Sequence, residues 1–326
     1  LVFVVNIFQT VTISIVLNFL YCFDENYNQM GFTSIISLLD SINQKININI
    51  IHKYEKNNQF VPKIIINHKN LNSLNVFPFD RSFDYFPNVE KSHISEATYY
   101  RLFLEDYIKK DDFYIYLDAD VVCIKDPSSY ISSKIDLMQK NQIPISAMRH
   151  EEILKDDQRS INLGISNGKY FNAGVMIINN KLWKKLNIKD SAIKIINDKN
   201  DDLYLWDQDV LNILFSSNYE NIDKNYNYRM NLLNFQDEEK SFIDKNVYFI
   251  HYYGKSKPWT IRGISFGVSE YYQENYRKIN KEKYHITHIW KVNSLLFLIK
   301  LIFSKKVLNL THPFLFLRDS LFSFFR

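Results

Sequence analysis

Apolar residues follow two alternating patterns along most of the chain. Short runs rich in β-branched and aromatic residues, typical of buried strands, occur at TISIVLNFLYCF, NINIIHKY, VPKIIIN, DFYIYLDADVV, PISAM and NAGVMIIN. Stretches with the helical spacing of apolar residues lie between them, at MGFTSIISLLDSI, SEATYYRLFLEDYI and DQDVLNILFSS. Strands that alternate with helices predict an α/β fold with a doubly wound mixed sheet, in which ligands bind at the carboxyl ends of the strands.

The N-terminal run has two interpretations. The first 20 residues contain no Lys, Arg, Asp or Glu, so they predict either a signal anchor or, over their second half, a buried first strand. Asn6, Gln9 and Asn18 interrupt the run and no basic residue precedes it, which favours the strand. We therefore assign residues 1–12 to an uncertain N-terminal extension and residues 13–285 to the main domain.

The C-terminal segment, residues 286–326, has a different character. It is rich in Leu, Ile and Phe, its only acid is Asp319, and Pro313 divides it into two predicted amphipathic helices. Five of its basic residues are Lys300, Lys305, Lys306, Arg318 and Arg326. This pattern predicts a segment that associates with an anionic membrane surface. A helical pair packed on the core is the alternative.

The composition narrows the class of protein. With 326 residues, 46% of them hydrophobic, the chain is long enough for a large globular core. The net charge of +4 is small and evenly spread, so we expect no nucleic-acid partner. Cys22 and Cys123 lie in apolar runs and are predicted to be buried thiols. Neither a dinucleotide-binding G-x-G-x-x-G nor a P-loop occurs.

Two carboxylates follow the strand predicted at DFYIYLDADVV. Asp118 and Asp120 are separated by one residue, and residues i and i+2 of a strand point to the same side. Paired carboxylates repel unless a cation lies between them, and oxygen ligands suit Mg²⁺ or Mn²⁺. The spacing alone is a weak signal, because Asp207 and Asp209 repeat it where a helix is predicted to begin. A metal site at the first pair is our interpretation, and a solvated loop is the alternative.

The segment FIHYYGKSKPWT adds a histidine and a lysine. His251 follows a short apolar run, and a histidine ring nitrogen can complete a shell of carboxylates around Mn²⁺. Lys257 can meet a phosphate as a point charge. A histidine on its own is more often structural, so the prediction for His251 depends on its combination with Asp118 and Asp120.

Six blocks of sequence occur in a recognisable order: FDENYN, HISEATYYRL, YLDADV, YFNAGVMIIN, DQDVLN and HYYGKSKPW. Together they resemble the retaining glycosyltransferases of family 8, which include glycogenin and the bacterial lipopolysaccharide and lipooligosaccharide galactosyl- and glucosyltransferases. The bacterial branch is the more similar one, and the resemblance covers roughly residues 13–275. It implies a GT-A catalytic domain, a UDP-sugar donor and Mn²⁺ as the cofactor, with Mg²⁺ as the alternative.

The resemblance assigns a role to each residue that matches a family motif. The implied metal ligands are Asp118, Asp120 and His251. The residues implied to bind the nucleotide and its phosphates are Asp24, Asn26, Tyr27, Gly254 and Lys257. Those implied to face the donor sugar are Arg101, Asn172 and the catalytic pair Asp207 and Gln208. The family mechanism leaves open whether Gln208 is a nucleophile, and we expect it to position the sugar, because a neutral amide is a poor nucleophile.

One segment departs from the family pattern. Where relatives carry an acid after the next strand, this chain reads SAMRHEE, with Arg149 and His150 near that place and Glu151 and Glu152 just beyond it. The sequence therefore leaves the identity of the hexose open, together with the acceptor and the linkage.

The sequence fits other function classes less well. A glycosidase needs carboxylates about 5–9.5 Å apart on opposite sides of a sugar bond, which two neighbours on one strand do not provide. Another metal-dependent nucleotide-sugar enzyme, or an inactive homologue that acts as a membrane scaffold in glycan assembly, remains an alternative. The prediction is a retaining, Mn²⁺-dependent transferase that moves galactose or glucose from a UDP-sugar to a lipid-linked oligosaccharide such as lipopolysaccharide. We expect it to be peripheral on the cytoplasmic face of a bacterial inner membrane.

Overall fold

The structure, a computed structural model, describes residues 16–53, 55, 57–80, 86, 95–150, 158–165, 169–199 and 202–325. The extension predicted at residues 1–12 lies outside these ranges. The buried first strand is confirmed as β1 (Asn18–Phe23). The remaining strands are β2 (Ile46–His52), β3 (Leu71–Pro78), β4 (Phe113–Leu117), β5 (Val121–Cys123), β6 (Ile145–Arg149), β7 (Phe171–Asn179), β8 (Glu220–Asn221), β9 (Tyr228–Met230) and β10 (Phe249–Tyr252).

Helices connect these strands, as the alternating pattern predicted. A 3₁₀ helix spans Glu96–Phe103. The α-helices are α1 (Asn28–Ser41), α2 (Lys63–Ile66), α3 (Leu104–Tyr107), α4 (Ser128–Asn141), α5 (Gln158–Asn162), α6 (Asn180–Lys185), α7 (Ile188–Lys199), α8 (Asp207–Phe215), α9 (Glu239–Asn246), α10 (Ile261–Ile264), α11 (Glu270–Ile279), α12 (Lys291–Phe303) and α13 (Pro313–Ser323).

The described strands form a seven-stranded mixed sheet and a smaller three-stranded sheet. The large sheet has the order β3-β2-β1-β4-β7-β6-β8; β3, β2, β1 and β4 run parallel, and β7 is antiparallel to both β4 and β6. The small sheet has the order β5-β10-β9. The chain continues from β1 to β2 on one side while β4 lies on the other, so the switch point of the topology falls between β1 and β4. A ligand site is expected at the carboxyl ends of these two strands.

The core lies on both faces of the large sheet. Along β1, Phe19, Tyr21 and Phe23 pack into one buried cluster, while Leu20 and Cys22 pack into the cluster on the opposite face. Alternate residues of a strand point to opposite faces, so a strand buried on both sides is apolar throughout, as this one is. Both predicted thiols are confirmed: Cys22 and Cys123 are buried and free.

Two predictions about elements were wrong or incomplete. The VPKIIIN run was predicted to be a strand, but Lys63–Ile66 forms the short helix α2. Pro62, just before α2, has a φ of −56°, and Ile65 is the only buried residue of α2, so the run does not form a pleated buried surface. The stretch SEATYYRLFLEDYI is helical as predicted, but most of it is a 3₁₀ helix and not an α-helix.

Pro313 begins α13, so the predicted division of the C-terminal segment into two helices is confirmed. One face of this pair packs on α10 through a small cluster that includes Ile261, Leu298, Leu301 and Phe316. Within the described ranges, none of the helices combines the length and the apolarity needed to cross a bilayer. The boundary between residues 285 and 286 remains a prediction.

Candidate active site

A cavity of about 320 Å³ opens at the carboxyl ends of β1 and β4, where the topology predicts a ligand site. Most of the residues singled out from the sequence line its wall: Tyr27, Arg101, Asp118, Asp120, Asn172, Asp207, Gln208, His251, Gly254 and Lys257. Asp24 and Asn26 lie on the neighbouring loop and are not part of the wall. The fold therefore brings together in one place residues that are up to 230 positions apart in the chain (27 to 257).

Asp118 and Asp120 converge, but not for the reason that the sequence suggested. β4 ends at Leu117, and the two aspartates lie on a tight turn in which the Val121 N–H donates to the Asp118 carbonyl (3.1 Å). The pleat of a strand is therefore not what turns the two carboxylates towards the same point. The turn does so, because it reverses the chain between β4 and β5.

The small sheet carries His251 to this turn. β10 pairs antiparallel with β5, which places His251 opposite Val121. The His251 Nε2 lies 3.4 Å from Asp120 Oδ1 and 3.8 Å from Asp118 Oδ2. Ligand atoms of the three side chains lie within 4.8 Å of one another. The three side chains are therefore close enough to bind one metal ion together.

Gly174 makes room for this cluster. A Cβ built at Gly174 would overlap the His251 ring and lie 2.9 Å from Asp118 Oδ2. The position is on β7, whose backbone passes directly beneath the two side chains. A glycine in a strand commonly marks such a close approach, and here it allows the cluster to form.

The charges around Asp120 are only partly balanced. Its Oδ2 accepts from Lys257 Nζ at 2.7 Å, whereas no hydrogen-bond donor among the described residues reaches its buried Oδ1. Burial acts to raise the pKa of Asp120, but the Lys257 ammonium, through its charge and its hydrogen bond, leaves this pKa below its ordinary value. Burial lowers the pKa of His251, so its ring is neutral at pH 7. A buried anionic oxygen without a donor, next to a neutral histidine, fits a divalent cation.

Arg101 joins the two halves of the site. It is buried, and its Nε lies 2.6 Å from Asp207 Oδ2 while its Nη1 lies 3.4 Å from Asp118 Oδ1. Nη1 also donates to the Ala173 carbonyl (2.6 Å), and the guanidinium lies 4.2 Å from the centre of the Tyr116 ring. Arg101 therefore holds two acidic residues of different elements in place.

Asp207 begins α8 and is almost fully buried. The hydroxyl of Thr98 donates to its Oδ1. Burial raises the pKa of Asp207 to about 6, although the charge of Arg101 opposes this shift. The second aspartate of this pair, Asp209, accepts hydrogen bonds from the Tyr170 hydroxyl and the Leu205 N–H (2.7 Å). Asp209 is therefore engaged inside the protein and is not a second metal ligand.

Gln208 and Asn172 form a polar wall beside Asp207. Gln208 Oε1 accepts from the Ala173 N–H (3.0 Å) and from Asn172 Nδ2 (3.1 Å). Its Nε2 donates to the Tyr170 hydroxyl at 3.1 Å. These bonds fix the amide plane of Gln208, since both ends of the amide have partners.

The loop after β1 forms another part of the site. Tyr27 faces the cavity, and burial together with the neighbouring carboxylates, Asp120 first, raises its pKa to about 12. Asp24 shapes this loop, because its carboxylate accepts from the Asn26 N–H (3.0 Å) and from the Ser95 hydroxyl. On the far wall, Gly254 has a φ of +83°, a conformation that favours glycine.

Several residues of the site were missed in the sequence. Trp206 lines the cavity with a φ of +49°, which is uncommon for a bulky residue and is often found at functional sites. Arg229 stacks on Tyr253 with 4.1 Å between the guanidinium carbon and the ring centre, and both line the cavity. Of the divergent segment, buried His150 reaches the wall and Arg149 is exposed. Glu151 and Glu152 lie outside the described residues.

Comparisons with known proteins show the family of this chain. The model of glycosyl transferase family 8 matches residues 18–262. The chain is 35% identical over 184 residues to a lipopolysaccharide 1,3-galactosyltransferase of Salmonella typhimurium, covering 54% of this chain and 52% of that protein. It is 32% identical over 176 residues to a lipopolysaccharide 1,2-glucosyltransferase of Escherichia coli, covering 50% and 49%. The chain thus spans about half the length of these curated relatives.

A longer match and a solved structure extend the comparison. A putative glycosyltransferase of Haemophilus influenzae is 30% identical over 254 residues, which cover 74% of this chain and 73% of that protein. The galactosyltransferase LgtC, solved with donor and acceptor sugar analogues, superposes with a TM-score of 0.63 at 23% identity, covering 81% of this chain and 96% of LgtC. The predicted GT-A fold is thereby confirmed. Because the family model spans three quarters of the sequence, the chain belongs to glycosyl transferase family 8.

Proposed function

We propose that the protein is a retaining glycosyltransferase that uses Mn²⁺ to move galactose or glucose from a UDP-sugar to a lipopolysaccharide, lipooligosaccharide or similar surface glycan. The observation that carries the proposal is the convergence of Asp118, Asp120 and His251 in a cavity at the switch point of the sheet. Membership of family 8 supports the transfer of a sugar. Two relatives are named as a lipopolysaccharide galactosyltransferase and a lipopolysaccharide glucosyltransferase, which supports the proposed classes of donor sugar and acceptor.

The donor set fits a hard divalent cation. Asp118 and Asp120 offer carboxylate oxygens, His251 offers a neutral ring nitrogen, and the Asp120 oxygen nearest to that ring has no hydrogen-bond donor among the described residues. When bound there, Mn²⁺ or Mg²⁺ would supply positive charge that stabilises the departing diphosphate.

The remaining residues would bind and orient the donor. Lys257, which now pairs with Asp120, is close enough to the cluster to share its ammonium with a phosphate. The left-handed turn at Gly254 lets the backbone approach the same group. Tyr27, in the wall on the β1 side, offers a ring on which uracil can stack. Asp24 and Asn26 would shape that loop through the hydrogen bond between them, and they would contact uridine only when the nucleotide is bound.

The sugar would lie against Asp207, Asn172 and Gln208. Asp207 is held by Arg101 and Thr98 and is ionised above about pH 6, so it can accept hydrogen bonds from sugar hydroxyls. Gln208 Oε1 already accepts two hydrogen bonds, which occupy the two lone pairs of a carbonyl oxygen. This saturation favours a positioning role over nucleophilic attack, because an attacking oxygen needs a lone pair that is not engaged.

The C-terminal pair of helices supports attachment to a membrane surface. Besides the face that packs on α10, the segment leaves large apolar side chains in solvent, among them Trp290 (71% exposed), Phe303 (84%) and Phe314 (80%). Lys291, Lys300, Lys305 and Lys306 lie among them. Exposed aromatic residues next to basic ones are typical of interfacial helices. We place the protein on the cytoplasmic leaflet, where UDP-sugars are made and a lipid-linked acceptor would be presented.

The metal site can be tested without removing a ligand. Gly174→Ala should lower the affinity for Mn²⁺ and the Mn²⁺-dependent hydrolysis of the donor by about 10–100-fold, because its Cβ would displace His251 and Asp118. Gly267→Ala is the matched control, since nothing lies within 4 Å of a Cβ built there. Titrations of both variants with Mn²⁺ measure the difference. Equal Mn²⁺ affinity in the two variants would contradict the site, as would normal turnover by Asp120→Asn at low Mn²⁺.

The reaction can be tested with a panel of UDP-sugars. With Mn²⁺ present, slow hydrolysis should be confined to UDP-galactose or UDP-glucose, and transfer to an oligosaccharide acceptor should give an α linkage, because retention preserves the configuration of the donor. Proton coupling constants of the anomeric signal distinguish the two linkages. A β-linked product would remove the protein from the retaining mechanism.

The membrane surface can be tested by substitution. Deletion of the segment would uncover Ile261 and Ile264 on α10, so the better change is the triple substitution Trp290→Ser, Phe303→Ser and Phe314→Ser. We expect it to abolish co-sedimentation with anionic vesicles and to leave donor hydrolysis unchanged.

The control is a variant with two exposed apolar residues changed elsewhere, Ile161→Ser and Leu186→Ser. This variant should co-sediment with anionic vesicles like the unmodified protein. Binding of the unmodified protein should weaken with salt, because each basic residue near the surface contributes about 1 kcal/mol. If the unmodified protein does not bind anionic vesicles at low salt, the membrane proposal is wrong.

A further inference from the structure

A continuous chain of hydrogen bonds runs from His251 through the floor of the cavity. His251 Nδ1 lies 3.0 Å from Asn227 Oδ1, and Asn227 Nδ2 donates to Asn172 Oδ1 at 2.8 Å. Asn172 Nδ2 then donates to Gln208 Oε1 (3.1 Å), and Gln208 Nε2 donates to the Tyr170 hydroxyl (3.1 Å). Asn227 is fully buried and was not singled out in the sequence.

Backbone groups fix the direction of this chain. The N–H groups of Ala173 and Gly174 donate to Gln208 Oε1 and Asn172 Oδ1, each at 3.0 Å. A backbone N–H can only donate, so the atoms that it meets must be the oxygens of these two amides. The orientation of both side chains is therefore determined by fixed backbone donors, independently of one another.

The fixed orientation of Asn172 determines the orientation of the Asn227 amide, which in turn determines the position of the proton on His251. Because Asn172 Oδ1 is an acceptor, the Asn227 atom that faces it must be the NH₂ group, and this turns Asn227 Oδ1 towards His251. The His251 nitrogen at that contact, Nδ1, must then carry the proton. Its other nitrogen, Nε2, faces Asp118 and Asp120 as an unprotonated lone pair.

We infer that Asn227 is a positioning residue that holds His251 in the Nδ1–H tautomer and so keeps Nε2 available as a metal ligand. This inference rests on the proposed metal site. The opposite tautomer would place a hydrogen between Nε2 and the carboxylates, and it would leave two buried acceptors, Nδ1 and Asn227 Oδ1, facing each other. Partners of this kind orient metal-ligating histidines and raise their basicity.

The local fold explains why Asn227 reaches this place. It follows a short 3₁₀ helix, Lys224–Tyr226, and directly precedes β9, which runs parallel to β10. In that register His251 lies opposite Arg229, so a side chain just before β9 can reach the His251 ring from behind. The site thus depends on the small sheet at two points, the ligand on β10 and its partner before β9.

Two substitutions at Asn227 separate its role from simple packing. Asn227→Leu has a similar size but removes the acceptor for His251 and the donor to Asn172. It should weaken Mn²⁺ binding in the presence of UDP by about 10–100-fold. Asn227→Asp keeps an acceptor for the Nδ1–H, so it should retain most of the affinity. Asn234→Leu, an exposed position on a nearby 3₁₀ helix, is the control and should bind like the unmodified protein.

Mn²⁺ binding is measured by calorimetry, without sugar and without turnover, on variants whose melting temperatures show that they are folded. Asn227→Leu with unchanged affinity would overturn the inference, as would equal losses in the Leu and Asp variants.

A second measurement decides the question even if the Leu variant does not fold. Nitrogen chemical shifts of ¹⁵N-histidine in the unmodified, metal-free protein, assigned with His251→Gln, should report the Nδ1–H tautomer for His251. An Nε2–H tautomer would overturn the inference. If the unmodified protein binds no Mn²⁺ at all, the proposed metal site fails, while the tautomer measurement still decides the role of Asn227.

Discussion

The carboxylates of Asp118 and Asp120 and the ring of His251 lie close together at the carboxyl end of the central sheet. The rest of the site is arranged around these three side chains. Asp118 and Asp120 are fixed by a tight turn, and His251 is brought against them by the pairing of β10 with β5. Their ligand atoms lie within 4.8 Å of one another. Acceptors this close repel in a buried setting unless positive charge compensates them, so the arrangement favours a cation.

The protein itself supplies part of that compensation. Lys257 neutralises one oxygen of Asp120, and Arg101 is shared between Asp118 and Asp207. Neither cation reaches Asp120 Oδ1, the oxygen that faces His251. The charge that remains is concentrated at the point where β1 and β4 end, next to the loop of Tyr27. In the proposed function a divalent cation at this point would compensate both the carboxylates and a bound diphosphate, which would link the binding of nucleotide to the binding of metal.

The hydrogen-bonded chain from His251 to Gln208 extends this constraint across the cavity. Its direction is set by the backbone of β7, the strand whose Gly174 also allows the cluster to form. A strand buried on both faces is among the most rigid parts of an α/β fold. β7 therefore contacts both groups of side chains: Gly174 lies beneath His251 and Asp118, and Asn172 and the Ala173 N–H bond to Gln208.

The sequence predicted the parts of the site whose residue types and spacing are typical of one kind of chemistry. The D-x-D spacing after a buried strand and the six ordered blocks predicted the cavity wall, the fold and the family. It failed for VPKIIIN, because an apolar run of this length does not distinguish a strand from a short helix. Asn227 and Tyr170 were missed because an asparagine in a polar loop and a tyrosine just before a strand carry no signal of a partner. The contacts of Asn227 with His251 and Asn172, and those of Tyr170 with Gln208 and Asp209, form only in the folded protein. The antiparallel course of β7 was likewise hidden, since its sequence is as apolar as that of a parallel strand.

The most direct measurement is a crystal structure of the protein with UDP and Mn²⁺, in which anomalous scattering locates the ion. One strong anomalous peak should lie in contact with Asp118, Asp120 and His251 and with oxygens of the diphosphate. UDP bound in the cavity with no peak at these three residues, or with Mn²⁺ at a different place, would contradict the proposed metal-dependent transfer.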